Sequence, residues 1–212
     1  MIPLNASALR VFMITACLLV LGAAAQPQAH AQTRIVALGD SNIRGAGLLE
    51  NDAYPARLER ALRAKGYNVT VKNAGVNGNT TADVLARMDN DVPQGTQIVI
   101  LSAGINDSFK NVSGPAIAAN LKTIVSRLRA RNIEVLMFGA QTGNTNATRR
   151  AEFDALGTVV IPAMQDGIEN DPNLHVEASK RAQNMYHLNS AGYDIVVART
   201  LPQVEALIAK VK

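Results

Sequence analysis

The feature that most constrains the fold is a regular alternation of short apolar runs with longer amphipathic segments. The short runs have the composition of buried strands, and the longer segments repeat apolar residues at helical spacing. The predicted strands are 34–38, 68–74, 97–104, 133–140 and 174–178. The predicted helices are 53–65, 81–88, 115–131, 147–168 with a kink or restart at Pro162, and 190–211. This order predicts an α/β fold with a parallel sheet and helices on both faces.

The first 31 residues have the features of a secretory signal peptide. Arg10 is their one charged side chain, an apolar stretch follows it, and Ala29-His30-Ala31 matches a small-x-small cleavage site. We therefore expect a signal peptide over 1–31, a single domain over 32–212, and an exported protein that is periplasmic or secreted. The apolar stretch is shorter than the roughly 20 residues of a membrane span. An uncleaved anchor is the alternative, and we expect no stable membrane insertion after cleavage.

Charge and cysteine content exclude several classes of function. The formal net charge is +4, and the Lys and Arg residues form no basic run, so we expect no nucleic-acid partner. The one cysteine, Cys17, lies in the signal segment, so the domain has no thiol chemistry of its own. We see no clustered metal ligands and expect neither a metal nor a cofactor. The oligomeric state is not readable from the sequence, and a monomer is the default.

Polar clusters stand where the predicted strands end. They cover 39–42, 73–79 and 104–107, and a fourth cluster at 184–189 precedes the last helix. In open parallel sheets, ligands bind just beyond the carboxyl ends of the strands. These separate pieces of chain are therefore expected to meet at one edge of the sheet.

The first of these clusters contains a candidate nucleophile. Ser41 follows Gly39-Asp40 on a predicted strand-to-helix turn, and its hydroxyl requires a base to become nucleophilic. Of the three histidines, His30 leaves with the signal peptide and His175 lies in an apolar run that favours a structural role. His187, in a loop before the last helix, is the remaining candidate base.

An acyl-transfer site also needs uncharged donors for an oxyanion. The backbone N–H groups of Ser41 and Gly78 and the side-chain amide of Asn106 are the candidates. Gly78 is expected to permit a backbone approach that a Cβ would block. Asp40 and Asp107 are expected to hold the loops by accepting backbone N–H bonds.

The segments "LGDSN", "NAGVNGNTT", "SAGIND" and "HLNSAGY" resemble the sequence blocks of the SGNH hydrolases, also called GDSL esterases/lipases. The block "NAGVNGNTTADVLARMD" is especially similar to the group that contains the periplasmic thioesterase/lysophospholipase and the arylesterases. The resemblance implies a flavodoxin-like three-layer α/β/α sandwich. It also implies a serine hydrolase that cleaves carboxylic esters or thioesters of small molecules, with an acyl-enzyme on the serine. Its serine, glycine, asparagine and histidine fall on Ser41, Gly78, Asn106 and His187.

The sequence departs from this family at one position. The family has Asp three residues before the histidine, and this chain has Asn184 there. An Asp orients the imidazole and stabilises its charged form. Asn184 keeps the correct tautomer only if its oxygen faces Nδ1–H, since its NH₂ would disable the base. A backbone carbonyl could instead hold the ring, leaving a Ser-His dyad.

Two other functions stay open at this point. One is a carbohydrate O-acetyl esterase or acyltransferase, although the chain has no Trp and only 4% aromatic residues for stacking on sugars. The other is a catalytically impaired binding protein on the same fold, with Asn184 marking the loss. The acyl chain and the alcohol or thiol part of the substrate are not readable from the sequence.

Overall fold

The computed structural model describes residues 31–139, 153–177 and 187–211. Its helices and strands in chain order are β1 (Thr33–Gly39), α1 (Ser41–Arg44), α2 (Tyr54–Ala64), β2 (Val69–Gly75), α3 (Thr81–Asp91), β3 (Ile98–Ser102), α4 (Ile105–Phe109), α5 (Gly114–Ala130), β4 (Glu134–Phe138), β5 (Val159–Ile161) and α6 (Ser190–Lys210). Two short 3₁₀ turns lie at Glu50–Asp52 and Pro172–Leu174. The signal-peptide prediction falls outside the described residues and stays a prediction.

The five strands form one parallel sheet in the order β2-β1-β3-β4-β5. The register aligns Gly39 at the end of β1 with Gly75 of β2 and with Ser102 of β3. The carboxyl ends of these three strands therefore lie side by side, and the polar segments that follow them start from one edge.

Each face of the sheet has its own apolar core, because the side chains of a strand alternate between faces. Ile35 and Ala37 of β1 pack with residues of α2 and α6, whereas Val36 and Leu38 pack with α3 and α5. Helices thus cover both faces. The prediction of an α/β three-layer α/β/α sandwich with a flavodoxin-like parallel sheet is confirmed.

One predicted helix is wrong in part. Residues 159–161, placed in the helix 147–168 from the sequence, form β5 and pair with Leu136–Phe138 of β4. Val-Val-Ile is β-branched throughout, which disfavours a helix and favours a strand. Pro162 follows directly and ends the strand. The beginning of that predicted helix lies outside the described residues.

The described part of the last predicted strand, residues 174–177, is also not a strand of the sheet. Pro172–Leu174 is a 3₁₀ turn, and His175 makes a single antiparallel bridge with Leu188. Asp171 caps this turn by accepting the N–H of Asn173 at 2.9 Å, and the turn extends to Leu174, where the predicted strand was expected to begin. This bridge places the segment around His175 against the segment that leads into α6. No helix within the described ranges is both long enough and apolar enough to cross a membrane.

Candidate active site

Ser41 is the first residue of α1, directly after the carboxyl end of β1. Asp40 caps this helix and accepts the N–H of Asn42 at 2.9 Å. Gly39 is required by close packing, since a Cβ at this position would lie 2.0 Å from the Ser102 carbonyl oxygen. The tight turn keeps Ser41 at a fixed position, with only 7% of its surface exposed.

Asp40 itself is buried at 1% exposure. Burial raises the pKa of this carboxyl from 3.8 to about 6, and the charge of Asp107 adds to the rise. The hydrogen bonds from the Asn42 backbone and side chain act in the opposite direction. The prediction that Asp40 holds its loop through a backbone N–H is confirmed.

His187 lies against Ser41, although 146 positions separate them in the sequence. Its Nε2 is 2.9 Å from the serine Oγ. Two backbone bonds hold the segment, from Val176 N–H to the His187 carbonyl at 3.1 Å and from Asn189 N–H to the Leu174 carbonyl at 2.9 Å. The structure thus brings the predicted serine and histidine within hydrogen-bond distance.

Burial of the ring lowers the pKa of His187 below its ordinary value of 6.5, and the charge that His175 can carry lowers it further. A neutral imidazole with hydrogen on Nδ1 can accept the Ser41 proton at Nε2. Asn184, the predicted orienting residue, lies outside the described residues.

His175 lies in a buried polar setting. It is 1% exposed, its Nδ1 is 2.7 Å from the Asp171 carbonyl oxygen, and its Nε2 is 3.3 Å from Gln165 Oε1. These contacts agree with the structural role expected for His175.

Gly78 lies in an exposed turn after β2, and this turn borders the same cavity as Ser41 and His187. Asn79 N–H donates to the Val76 carbonyl oxygen at 3.3 Å and closes the turn. A Cβ on Gly78 would meet no protein atom within 4 Å, so packing among protein atoms does not explain the glycine. Its φ of 75° does, because side-chain-bearing residues rarely adopt this conformation.

Asn106, the second residue of α4, lines the same cavity. Its Nδ2 donates to the Asn79 carbonyl oxygen at 2.9 Å, which ties the loop after β3 to the loop after β2. An amide NH₂ carries two hydrogens, and this bond uses one of them. The neighbouring Asp107 accepts from the Thr81 backbone N–H at 2.8 Å and from its hydroxyl at 2.6 Å, as predicted for a loop-holding carboxylate.

Arg87 of α3 is a contributor to this edge that the sequence did not reveal. Its guanidinium donates to the Gly39 carbonyl at 2.6 Å, to the Ala74 carbonyl at 3.0 Å and to Asn79 Oδ1 at 2.6 Å. It also pairs with Asp91. One side chain therefore connects the ends of β1 and β2 to the turn that contains Gly78. An arginine in an amphipathic helix carries no sequence signal that separates this role from an exposed position.

The cavity at this edge has a volume of about 200 Å³. Its polar wall contains four of the five predicted site residues, Ser41, Gly78, Asn106 and His187, and its apolar wall includes Ala46, Ile105 and Phe109. Within the described residues, no group of three or more His, Cys, Asp or Glu side chains is arranged to hold a metal ion.

Comparison with known proteins identifies the family. The family model described as "GDSL-like Lipase/Acylhydrolase family" matches residues 37–195, about three quarters of the chain. The chain belongs to this family. The resemblance noted in the sequence is thereby confirmed.

Two family relatives are named for esterases. Esterase TesA of Pseudomonas aeruginosa is 32% identical over 115 residues, which are 54% of this chain and 57% of that protein. An arylesterase of Vibrio mimicus is 30% identical over 109 residues, which are 51% of this chain and 54% of that protein. The matched part of the chain thus spans little more than half the length of these relatives.

The fold extends over more of the chain than these sequence matches. The crystal structure of TesA superposes with a TM-score of 0.72 and covers 82% of this chain and 99% of that chain, at 22% identity. At this identity the likeness shows the fold.

Proposed function

We propose that this protein is a serine hydrolase that cleaves carboxylic esters or thioesters of small molecules through an acyl-enzyme on Ser41. The observation that carries the proposal is the 2.9 Å contact between Ser41 Oγ and His187 Nε2. This distance lies within the range in which a base takes a proton from a nucleophile. The family membership and the esterase names of its relatives support the same reaction.

In the acylation step, Ser41 Oγ attacks the carbonyl carbon of the ester while His187 Nε2 accepts the hydroxyl proton. The tetrahedral intermediate then collapses, the bond to the alcohol or thiol breaks, and the imidazolium returns the proton to the leaving group. A lowered His187 pKa suits the first half of this step, because the ring is neutral at neutral pH and available as a base.

The negative oxygen of the intermediate needs uncharged donors nearby. We assign the backbone N–H groups of Ser41 and Gly78 and the second amide hydrogen of Asn106 to this role. The shared cavity of Ser41, Gly78 and Asn106 supports the assignment, as does the bond from Asn106 to the Asn79 carbonyl, which fixes the amide plane.

In the deacylation step, His187 takes a proton from water, and the resulting nucleophile attacks the acyl carbon. The bond to Ser41 Oγ breaks, and the proton returns to the serine. This cycle needs an imidazole held with Nδ1–H. From the sequence, Asn184 or a backbone carbonyl is the proposed holder.

The described apolar wall of the cavity suits an uncharged acyl group. Ala46, Ile105 and Phe109 line it. Phe109 is 54% exposed, so its ring offers apolar surface to a substrate. We therefore place the acyl chain on this wall and the leaving group toward His187. A monomer remains the proposed state in solution.

A panel of p-nitrophenyl esters from acetate to palmitate, with an acyl thioester and an acetylated sugar beside it, tests the proposal. We expect turnover of esters or thioesters by the wild-type protein. Ser41→Ala should lower it by at least about 1,000-fold, because the nucleophile is lost. Turnover of the acetylated sugar alone would favour a carbohydrate O-acetyl esterase. A folded wild-type protein that turns over none of them would support a binding protein and contradict the proposal.

A further inference from the structure

A chain of buried polar contacts leads from the residue after Ser41 into the protein. Gln165 Nε2 is 3.1 Å from Asn42 Oδ1, and Gln165 Oε1 is 3.3 Å from His175 Nε2. The exposed fractions of Asn42, Gln165 and His175 are 5%, 1% and 1%. We refer to these three side chains as the Asn42–Gln165–His175 chain.

The first member of this chain, Asn42, is a buried amide that directly follows the candidate nucleophile. A buried amide without hydrogen bonds costs stability, so Asn42 needs partners. Gln165 is one such partner.

At its outer end, the Asn42–Gln165–His175 chain is bonded to the turn that contains Ser41. The Asn42 N–H donates to Asp40 Oδ1, and its carbonyl oxygen accepts from the Tyr193 hydroxyl at 2.7 Å. Tyr193 is itself fully buried in α6. Asn42 is thus hydrogen-bonded to its own turn, to α6 and to Gln165.

At its inner end, the Asn42–Gln165–His175 chain is joined to the segment that contains His187. His175 bridges Leu188 through the backbone, and the residues on either side of His175 bond to His187 and Asn189. A contact path therefore runs from Asn42 through Gln165 and His175 to the neighbour of His187. It joins the same two pieces of chain that meet at Ser41 Oγ and His187 Nε2.

The direction of the hydrogen bonds does not alter this path. The Asp171 carbonyl oxygen only accepts, so His175 Nδ1 donates to it. His175 Nε2 then donates to the Gln165 carbonyl when the ring is doubly protonated, and it accepts from the Gln165 NH₂ when the ring is neutral, with both amides turned over in the second case. In each arrangement the same three side chains remain in contact.

We propose that Gln165, together with Asn42 and His175, positions Ser41 relative to His187. Gln165 and His175 do not line the cavity, so they act through the residues they hold. The inference rests on the proposed hydrolase function for its effect on rate. The inference also states that the three side chains couple the segment of Ser41 to the segment of His187. This coupling does not depend on any reaction.

Gln165→Met tests the effect on rate, since methionine has a similar length and shape but cannot make the two hydrogen bonds. A misplacement of about 1 Å can lower a rate by about 100-fold. We expect kcat for p-nitrophenyl acetate to fall at least about tenfold, with KM changed less than about twofold. Gln97→Met is the matched control. The Gln97 amide also makes two hydrogen bonds, with Arg34 N–H at 3.0 Å and the Val211 carbonyl at 3.2 Å, but at the opposite edge of the sheet.

The control variant should keep the wild-type kcat at a temperature well below its unfolding midpoint. An unchanged kcat in Gln165→Met, or an equal loss in Gln97→Met, would overturn the positioning role. If the wild-type protein hydrolyses no ester, the proposed function fails, and the positioning inference is decided by the next measurement.

Amide hydrogen exchange measures the coupling without any substrate. In Gln165→Met, the amides of Asn42, Val176 and Asn189 should exchange faster than in the wild type, by about tenfold relative to the amides of β3. These amides donate the bonds that fix the two joined segments. Gln97→Met should leave them protected. Unchanged protection in Gln165→Met would contradict the proposal.

Discussion

The two sides of the candidate site are built in different ways. The nucleophile side, which contains Ser41 and His187, is packed into the protein, and Ser41 is only 7% exposed. The proposed oxyanion side, the turn at 76–79, is largely exposed and is held by side chains from other elements. Arg87 and Asn106 bond to Asn79, and Lys110 donates to the Gly78 carbonyl at 3.3 Å.

This difference predicts where the effects of substitution will appear. On the nucleophile side, the groups that fix geometry are buried, so changes there alter both rate and folding stability. On the oxyanion side, a few partly exposed hydrogen bonds fix the geometry. Losing one of them costs little stability but displaces the donors that we propose for the oxyanion.

The largest separation between rate and stability is expected for Asn106→Ala. Loss of one oxyanion donor lowers kcat by about 100- to 1,000-fold. The free energy of unfolding should fall by only about 1 kcal/mol, for the lost bond to the Asn79 carbonyl. Ester hydrolysis and urea unfolding of the same preparation measure both. A fall in stability without a fall in kcat would contradict the role of Asn106 as an oxyanion donor and show that it only stabilises the fold.

Asp40→Asn is expected to show how much stability the buried Asp40 carboxyl costs the wild-type protein when it ionises. The wild-type carboxyl has its pKa raised from 3.8 to about 6 by burial, so the native state resists its ionisation. Its stabilising contribution is complete below pH 3.8 and is lost as the pH rises through about 6. The rise of the Asp40 pKa from 3.8 to about 6 corresponds to about 3 kcal/mol in the free energy of unfolding.

The neutral side chain of the Asp40→Asn variant can still cap α1, because asparagine caps helices as well as aspartate. Relative to the wild type, the variant should therefore gain stability between pH 4 and 7.5, as measured by urea unfolding at both pH values. A stability difference that is constant with pH would show that Asp40 ionises freely in the native state.

A smaller effect is expected for Arg87→Met. The turn at 76–79 would lose one of its holding side chains, and we expect kcat to fall about tenfold. Arg63→Met is a matched control, since Arg63 Nε also donates to a strand carbonyl, that of Val69 at 3.0 Å, but at the far edge of the sheet. Equal kcat values for the two variants would remove Arg87 from the oxyanion side.

Much of the fold could be predicted because apolar periodicity is a local signal. β1 to β4 and the helices α2, α3, α5 and α6 lie where the sequence places them. The failures lie at 159–161 and 174–178, where short apolar runs fit either a strand or another structure, and tertiary pairing decides between them.

Part of the site could be predicted for a different reason. The polar clusters after β1, β2 and β3 stand at strand ends, and parallel strands bring those ends to one edge, so the proximity of Ser41, Gly78 and Asn106 follows from the topology. His187 reaches the same edge through the bridge between His175 and Leu188, which is not part of the sheet. Arg87 and Gln165 could not be identified in this way. Their partners are distant carbonyls and amides, and no spacing in the sequence encodes which of those they reach.

Activation of Ser41 by His187 can be measured by labelling with a fluorophosphonate probe, followed by mass spectrometry of the labelled peptide. The probe reacts with a serine only when a base activates its hydroxyl. We expect labelling of the wild-type protein at Ser41 and a loss of at least about 100-fold in labelling rate in His187→Ala. Labelling at another serine, or an undiminished rate in His187→Ala, would contradict the activation of Ser41 by His187.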